Sequence, residues 1–147
     1  MKVVIDTNIF LVSISRRSHL NWIFQRLFNE EFRLCVTTEI LMEYAEKIEE
    51  HMGIQIAEAT LKAILNLPNL EKAEVYFKWN LIQKYPDDNK FSDCAVAANA
   101  AYLLTHDKDF SILKRIGFPK IEVISAEEIK EILDAKERGR SKLLPHA

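Results

Sequence analysis

The chain is short of the residues that staple, kink or loosen a fold: two cysteines, four prolines and three glycines in 147 residues. Two thiols cannot build the disulfide framework of a small secreted domain. Cys35 falls in an expected strand and Cys94 in an Ala-rich helix, so both read as small core side chains, suited to a reducing cytoplasm. Gly53, Gly117 and Gly139 are scattered and none belongs to a phosphate-cradling loop, which disfavours a Gly-rich nucleotide binder. No apolar run approaches the roughly 20 residues needed to span a bilayer. The chain opens directly on a strand, leaving no room for a signal peptide, so a soluble cytoplasmic protein without a membrane partner is expected. Excess charge is missing as well. A net charge of −2 raises no global basic field, although local Lys and Arg clusters could still hold an anionic backbone.

What is present is a large apolar complement, 48% of residues, in a length that suits one domain. Lys2 to Asp6 reads as a short buried strand. Leu20, Ile23, Phe24, Leu27 and Phe28 have helical spacing behind Ser18, a candidate N-cap. Phe32–Val36 reads as a second strand, and Thr37 or Thr38 caps a helix that buries Leu41, Tyr44, Ala45 and Ile48. A further helix covers Ile56–Leu67 and stops at Pro68. Residues 69–85 favour short helical pieces, and Pro86 imposes a break. Helix Asn89–Ala101, strand Tyr102–Thr105, short helix Phe110–Arg115, strand Ile121–Ile124 and helix Ala126–Ala135, capped by Ser125, complete the pattern. Strands alternating with helices predict an α/β fold with a mainly parallel sheet covered on both faces. Residues 136–147, with Lys136, Arg138, Arg140 and Lys142, read as a basic, frayed tail or a partner-binding extension of a domain spanning 1–135.

The chemistry concentrates in carboxylates. Asp6 follows Val3-Val4-Ile5 and Asp107 follows Leu103-Leu104-Thr105-His106. If both runs are parallel strands, both acids emerge at the carboxyl edge of one sheet, where open α/β sheets bind ligands. Thr7 and Asn8 could support Asp6, and Thr105 shares a strand face with Asp107. Glu43 and Glu39 lie on one helix face as rivals. Asp87 and Asp88 precede a helix and could simply cap it. Asp93 sits beside packed alanines and needs a partner. Crowded carboxylates raise one another's pKa unless a cation is present, and Mg²⁺ or Mn²⁺ prefers such oxygen ligands. A metal-dependent hydrolase of phosphate esters is the expected class.

Four segments, KVVIDTN, TTEILMEY, PDDNKFSDCAVAANAAYLLTHDKDF and IEVIS, occur in order over residues 1 to about 130. In them the chain resembles the PIN-domain ribonucleases, and among these the VapC-like toxins of toxin–antitoxin systems. The resemblance implies a three-layer α/β/α sandwich and an acidic Mg²⁺/Mn²⁺ pocket that cuts single-stranded RNA. It also implies a homodimer inhibited by a cognate antitoxin, through a basic residue inserted among the acids. Asp6 matches the family's first acid and Glu43 its second, which favours Glu43 over Glu39; Asp107 matches the acid at the strand end. The third acid departs from the pattern, because counting back from Asp107 by the family's spacing lands on Asn89. Asp93, the more inward, is preferred there, with Asp88 as its alternative, and Asp109 is expected to be peripheral.

On this reading a metal held by Asp6, Asp107 and Asp93 or Asp88 activates water, Glu43 completes the site, and Lys90, Lys108 and Lys114 are candidates for phosphate contacts. Two rivals stand beside it. An aspartyl phosphotransferase would also place its nucleophile at Asp6, but the second acid it needs two residues later is replaced by Asn8. A catalytically inactive PIN-like RNA-binding or scaffold module would keep the fold and lose turnover.

Overall fold

The computed structural model describes residues 1–143. Five short strands, β1 (Lys2–Ile5), β2 (Arg33–Val36), β3 (Leu70–Lys72), β4 (Tyr102–Leu104) and β5 (Val123–Ile124), form one sheet in the order β3-β2-β1-β4-β5. Every neighbouring pair is parallel. Val3, Val4 and Ile5, Leu34, Cys35 and Val36, and Leu103 and Leu104 are inaccessible to solvent. That is the continuous apolar character of strands covered on both faces. From β1 the chain steps outward to β2 and β3, then returns past β1 to β4 and β5. With right-handed crossovers, this reversal sends the connecting helices of the two halves to opposite faces. A three-layer α/β/α sandwich results, as the sequence predicts.

Six α-helices surround the sheet: α1 (Thr7–Ile14), α2 (Asn21–Phe28), α3 (Thr38–Met52), α4 (Ile54–Leu65), α5 (Asn89–Ala97) and α6 (Ala126–Leu143). Two of the three expected caps form, while Ser18 does not cap α2, whose N-cap position is Leu20 with no side-chain bond. At α3, Thr37 Oγ1 accepts from the Ile40 amide at 3.2 Å. At α6, the Ser125 hydroxyl accepts from the Glu128 amide while Glu128 accepts from the Ser125 amide, both at 3.2 Å, a reciprocal capping box. Gly53 at φ +90° separates α3 from α4, a conformation suited to glycine. Arg26 of α2 donates to Asp134 of α6 at 2.5 Å and ties these two helices together.

Several expectations need correction. Residues 7–14, which carry no expected element, form α1, because Asp6 ends β1 and the chain turns at once. Residues 70–72 add the edge strand β3, where short helical pieces were expected; the rest of 73–85 is irregular apart from a bend. Residues 136–143 continue α6 rather than fraying at Ala135, since Lys, Glu and Arg are good helix formers. The remainder of the expected tail, 144–147, lies outside the described residues. Helix α5 is also shorter than predicted, ending before Asn99 at φ 52°. Cys35 and Cys94 are buried and free, as expected, and burial pushes their thiols up to about 11 and about 12.

Candidate active site

The sheet reverses direction between β1 and β4, and this switch point is where a doubly wound sheet opens a crevice at its carboxyl edge. β1 and β4 are hydrogen-bonded neighbours with Ile5 opposite Leu104, and the Asp6 amide donates to the Leu104 carbonyl at 3.0 Å. Residues 6 and 105–107 therefore leave the sheet side by side.

Asp6 occupies the N-cap position of α1, yet its side chain makes no capping bond. Its carboxylate instead accepts from the Thr105 hydroxyl at 2.8 Å. The same hydroxyl accepts from the Asp107 amide at 3.0 Å, so Thr105 fixes both strand-end acids. Burial raises the pKa of Asp6 above the ordinary carboxylate value; the Thr105 bond opposes this, and the Asp107 and Glu43 charges add to it. Asp107 caps the following 3-10 helix (Lys108–Arg115) through the Asp109 amide at 2.9 Å, and this tight turn brings Asp109 back beside it.

Asp88 reaches the same place from another direction. It ends a single 3-10 turn (Pro86–Asp88) and immediately precedes α5. Among the described residues, carboxylate oxygens of Asp88, Asp107 and Asp109 lie within 4.8 Å of one another. Burial, followed by the charges of Asp107, Asp6 and Asp109, lifts Asp88 from 3.8 to about 6. Carboxylate oxygens grouped this closely are a set of hard donors suited to Mg²⁺ or Mn²⁺.

Asp93 is buried but outside this group. Its carboxylate accepts from the Trp79 amide at 3.1 Å and faces Lys78 and Glu39; burial raises its pKa despite the Trp79 bond. Five residues along a helix turn a side chain by about 140°, so Asp88 and Asp93 look to different sides of α5. Asn89, where the family spacing falls, is turned to the preceding loop. It accepts from the Ile82 amide at 2.9 Å and donates to the carbonyls of Ile82 and Pro86 at 3.0 and 3.1 Å.

Glu43 is delivered by α3. The Tyr44 hydroxyl donates to the Ile5 carbonyl at 2.5 Å, and its ring stacks on Phe10 with centroids 4.2 Å apart. This pins α3 to the end of β1. Glu43 accepts from the Thr7 hydroxyl on one oxygen and from Lys90 at 2.7 Å on the other. Lys90 also meets Asp87 at 3.1 Å. Burial pulls the Lys90 ammonium down, but its bonds to Glu43 and Asp87 outweigh this and hold it above the ordinary value. Glu39 is exposed on α3 and does not join them.

A cavity of about 360 Å³ contains both Asp6 and Asp107 and is lined also by Asn8, Ile9, Val12, His19, Leu20 and His106. A second, of about 440 Å³, places Lys108 and Lys114 beside Asp107. A larger groove of about 640 Å³ runs from Asp109 past Tyr85 and Ile112. His106 faces the start of α6, where its Nε2 accepts from the Ala126 amide at 3.0 Å.

Residues 2–109 match the family model of the PIN domain. The chain belongs to the PIN-domain family. PIN domains are nucleases. Its fold is shared with a VapBC2 complex from Rickettsia felis bound to a DNA fragment from its promoter, at 19% identity and a TM-score of 0.59, covering 85% of this chain and 98% of that one. It is shared also with a DNA-bound VapBC from Salmonella typhimurium, at 16% identity and a TM-score of 0.55, over 86% and 98% of the two chains. VapBC-1 from nontypeable Haemophilus influenzae is a third, at 18% identity and a TM-score of 0.56, over 86% and 99%. Among curated proteins none matches.

Two features of this PIN domain escape sequence reasoning. Asp109 joins the acids because a 3-10 turn, rather than a strand continuation, follows Asp107. The spacing Asp107-Lys108-Asp109 just after a strand end is the signal for it. Lys90 is an internal ion-pair partner, and its position three residues after Asp87 at the start of α5 is the corresponding clue.

Proposed function

We propose that this PIN domain is a divalent-cation-dependent endoribonuclease that hydrolyses phosphodiester bonds of single-stranded RNA. We propose further that it is the toxin of a toxin–antitoxin pair, a cytoplasmic homodimer held in check by a cognate antitoxin. The observation that carries the chemistry is the convergence of Asp6, Asp88, Asp107 and Asp109 at the β1–β4 switch point, with Asp88 lifted to about 6 by burial and by the charges of its neighbours. The fold shared with three VapBC complexes supports the biological assignment.

Asp6, Asp88 and Asp107, with Asp109 beside them, would hold the Mg²⁺ or Mn²⁺. When bound, the cation supplies the positive charge that acidifies an attacking water and offsets charge developing on the phosphate. Thr105 orients Asp6 through its hydroxyl and spaces it from Asp107. Thr7 holds Glu43, and Asn8 presents an amide at the mouth of the cavity that Asp6 and Asp107 share. Lys108 and Lys114, lining the cavity beside Asp107, take the RNA phosphates flanking the cut. On this reading Asp88, rather than Asp93, is the third acid of the site.

The test is cleavage of a single-stranded RNA with Mn²⁺, with and without EDTA, compared with Asp6→Asn. Cleavage that EDTA abolishes, and that the substitution lowers by about 100-fold or more, is expected, the scale of losing a group that stabilises transition-state charge. Full activity in the variant, or cutting without a divalent ion, overturns the mechanism. RNA binding with no cleavage by the intact domain favours the scaffold reading.

A further inference from the structure

Lys90 is the second residue of α5, where an ammonium opposes the positive end of the helix dipole. Its side chain is only 8% exposed, too enclosed for the RNA-phosphate contact that its place in the sequence suggests. The acids around it account for this position. Its ammonium stands 2.7 Å from Glu43 Oε1 and 3.1 Å from Asp87 Oδ1, while Thr7 holds the other Glu43 oxygen. Both oxygens of Glu43 thus have donors from the protein. Asp88, Asp107 and Asp109 are grouped closely enough to share an ion, whereas Glu43 faces a fixed positive charge.

We propose that Lys90 is a positioning residue that serves as a built-in counter-cation. It locks Glu43 in place and withdraws it from the ion-binding set, so that the site takes a single divalent cation rather than a pair. Paired-ion sites hold two cations about 3.5–4 Å apart, and the second needs oxygen ligands of its own. Here the carboxylate able to serve that purpose, Glu43, already faces an ammonium at contact distance. Unit charges a few ångströms apart in a partly buried site interact strongly, so a second dication next to Lys90 is repelled. The inference rests on the acidic cup being an ion site, as proposed above.

The experiment counts Mn²⁺ bound per folded chain, by calorimetry and by the paramagnetic signal of free Mn²⁺, with circular dichroism to certify folding. The intact domain is expected to bind one ion. Lys90→Met is expected to bind two, and the double variant Lys90→Met, Glu43→Gln to return to one. Lys90→Arg, which keeps the charge, is expected to remain at one, a rescue that loss of packing alone does not predict. Glu43→Gln by itself leaves the count at one and tests the point even if Lys90→Met fails to fold. Two ions in the intact domain, an unchanged count in folded Lys90→Met, or loss of the ion in Glu43→Gln would overturn the role of Lys90. No ion bound to the intact domain at all would instead remove the metal site, and this inference with it.

Discussion

The Thr105 hydroxyl shows how finely the acids are set. Its single proton goes to Asp6 and one lone pair receives the Asp107 amide, so two carboxylates that repel are held at a fixed offset by one small side chain. Asp88 and Asp93 give the sharper contrast. Both are carboxylates near the start of α5 and both have raised pKa values, chiefly through burial. One faces three other acids, the other a backbone amide. Asp88→Asn is therefore expected to lower RNA cleavage by about 100-fold or more, by loss of transition-state stabilisation. Asp93→Asn keeps an acceptor for Trp79 and is expected to cut at the unaltered rate. Single-turnover cleavage of the two variants decides between them, and the reverse ranking would return Asp93 to the site.

At the scale of elements, α5 and the loop before it place Asp88, and Asn89 is the clasp between them. Its amide bridges donors and acceptors of Ile82 and Pro86. Asn89→Asp restores the acid at the spacing usual in the family, but leaves the Ile82 and Pro86 carbonyls facing a carboxylate. It is expected to destabilise the domain by about 2 kcal/mol or more, measured by urea denaturation, without raising cleavage. The order of strands and helices was readable from the chain because β-branched runs and helical spacing alternate, and the caps at Thr37 and Ser125 are local signals. Helix α1 was not, since in Thr-Asn-Ile-Phe-Leu-Val-Ser-Ile the apolar residues run consecutively and show no clear face. Nor was β3, three residues long and only partly buried at the sheet edge. Asp6 and Asp107 could be placed from strand ends alone. The choice between Asp88 and Asp93 depended on a 3-10 turn and on how α5 is rotated, which no spacing rule fixes.

For the whole molecule, the crowded acids make stability depend on pH in a definite sense. Asp88 stands at about 6 when folded against an ordinary 3.8, so the folded state binds this proton more tightly than the unfolded chain. Its contribution is fully present below about pH 4 and is lost as pH rises through 6. Asp6 is shifted in the same direction. Metal-free protein is expected to melt at a lower temperature at pH 7 than at pH 5. Mn²⁺ is expected to close the gap at pH 7 by binding the native state, and Asp88→Asn to narrow it without metal. Thermal melts in matched buffers measure this, and a rising melting temperature across the window would refute it. Among the described residues no helix is long and apolar enough to cross a membrane.

The pairing of β1 with β4 carries a consequence for biosynthesis. The first acid is made well before the strand that must lie beside it, which comes about a hundred residues later, and such distant partners close slowly. A growing chain, or one cut short before Tyr102, carries Asp6, Glu43 and Asp88 with no neighbouring strand to gather them against. The RNA-cutting centre proposed above, built this way, is expected to stay inert while its own messenger is being translated, and to ripen only when nearly the whole domain is free to fold.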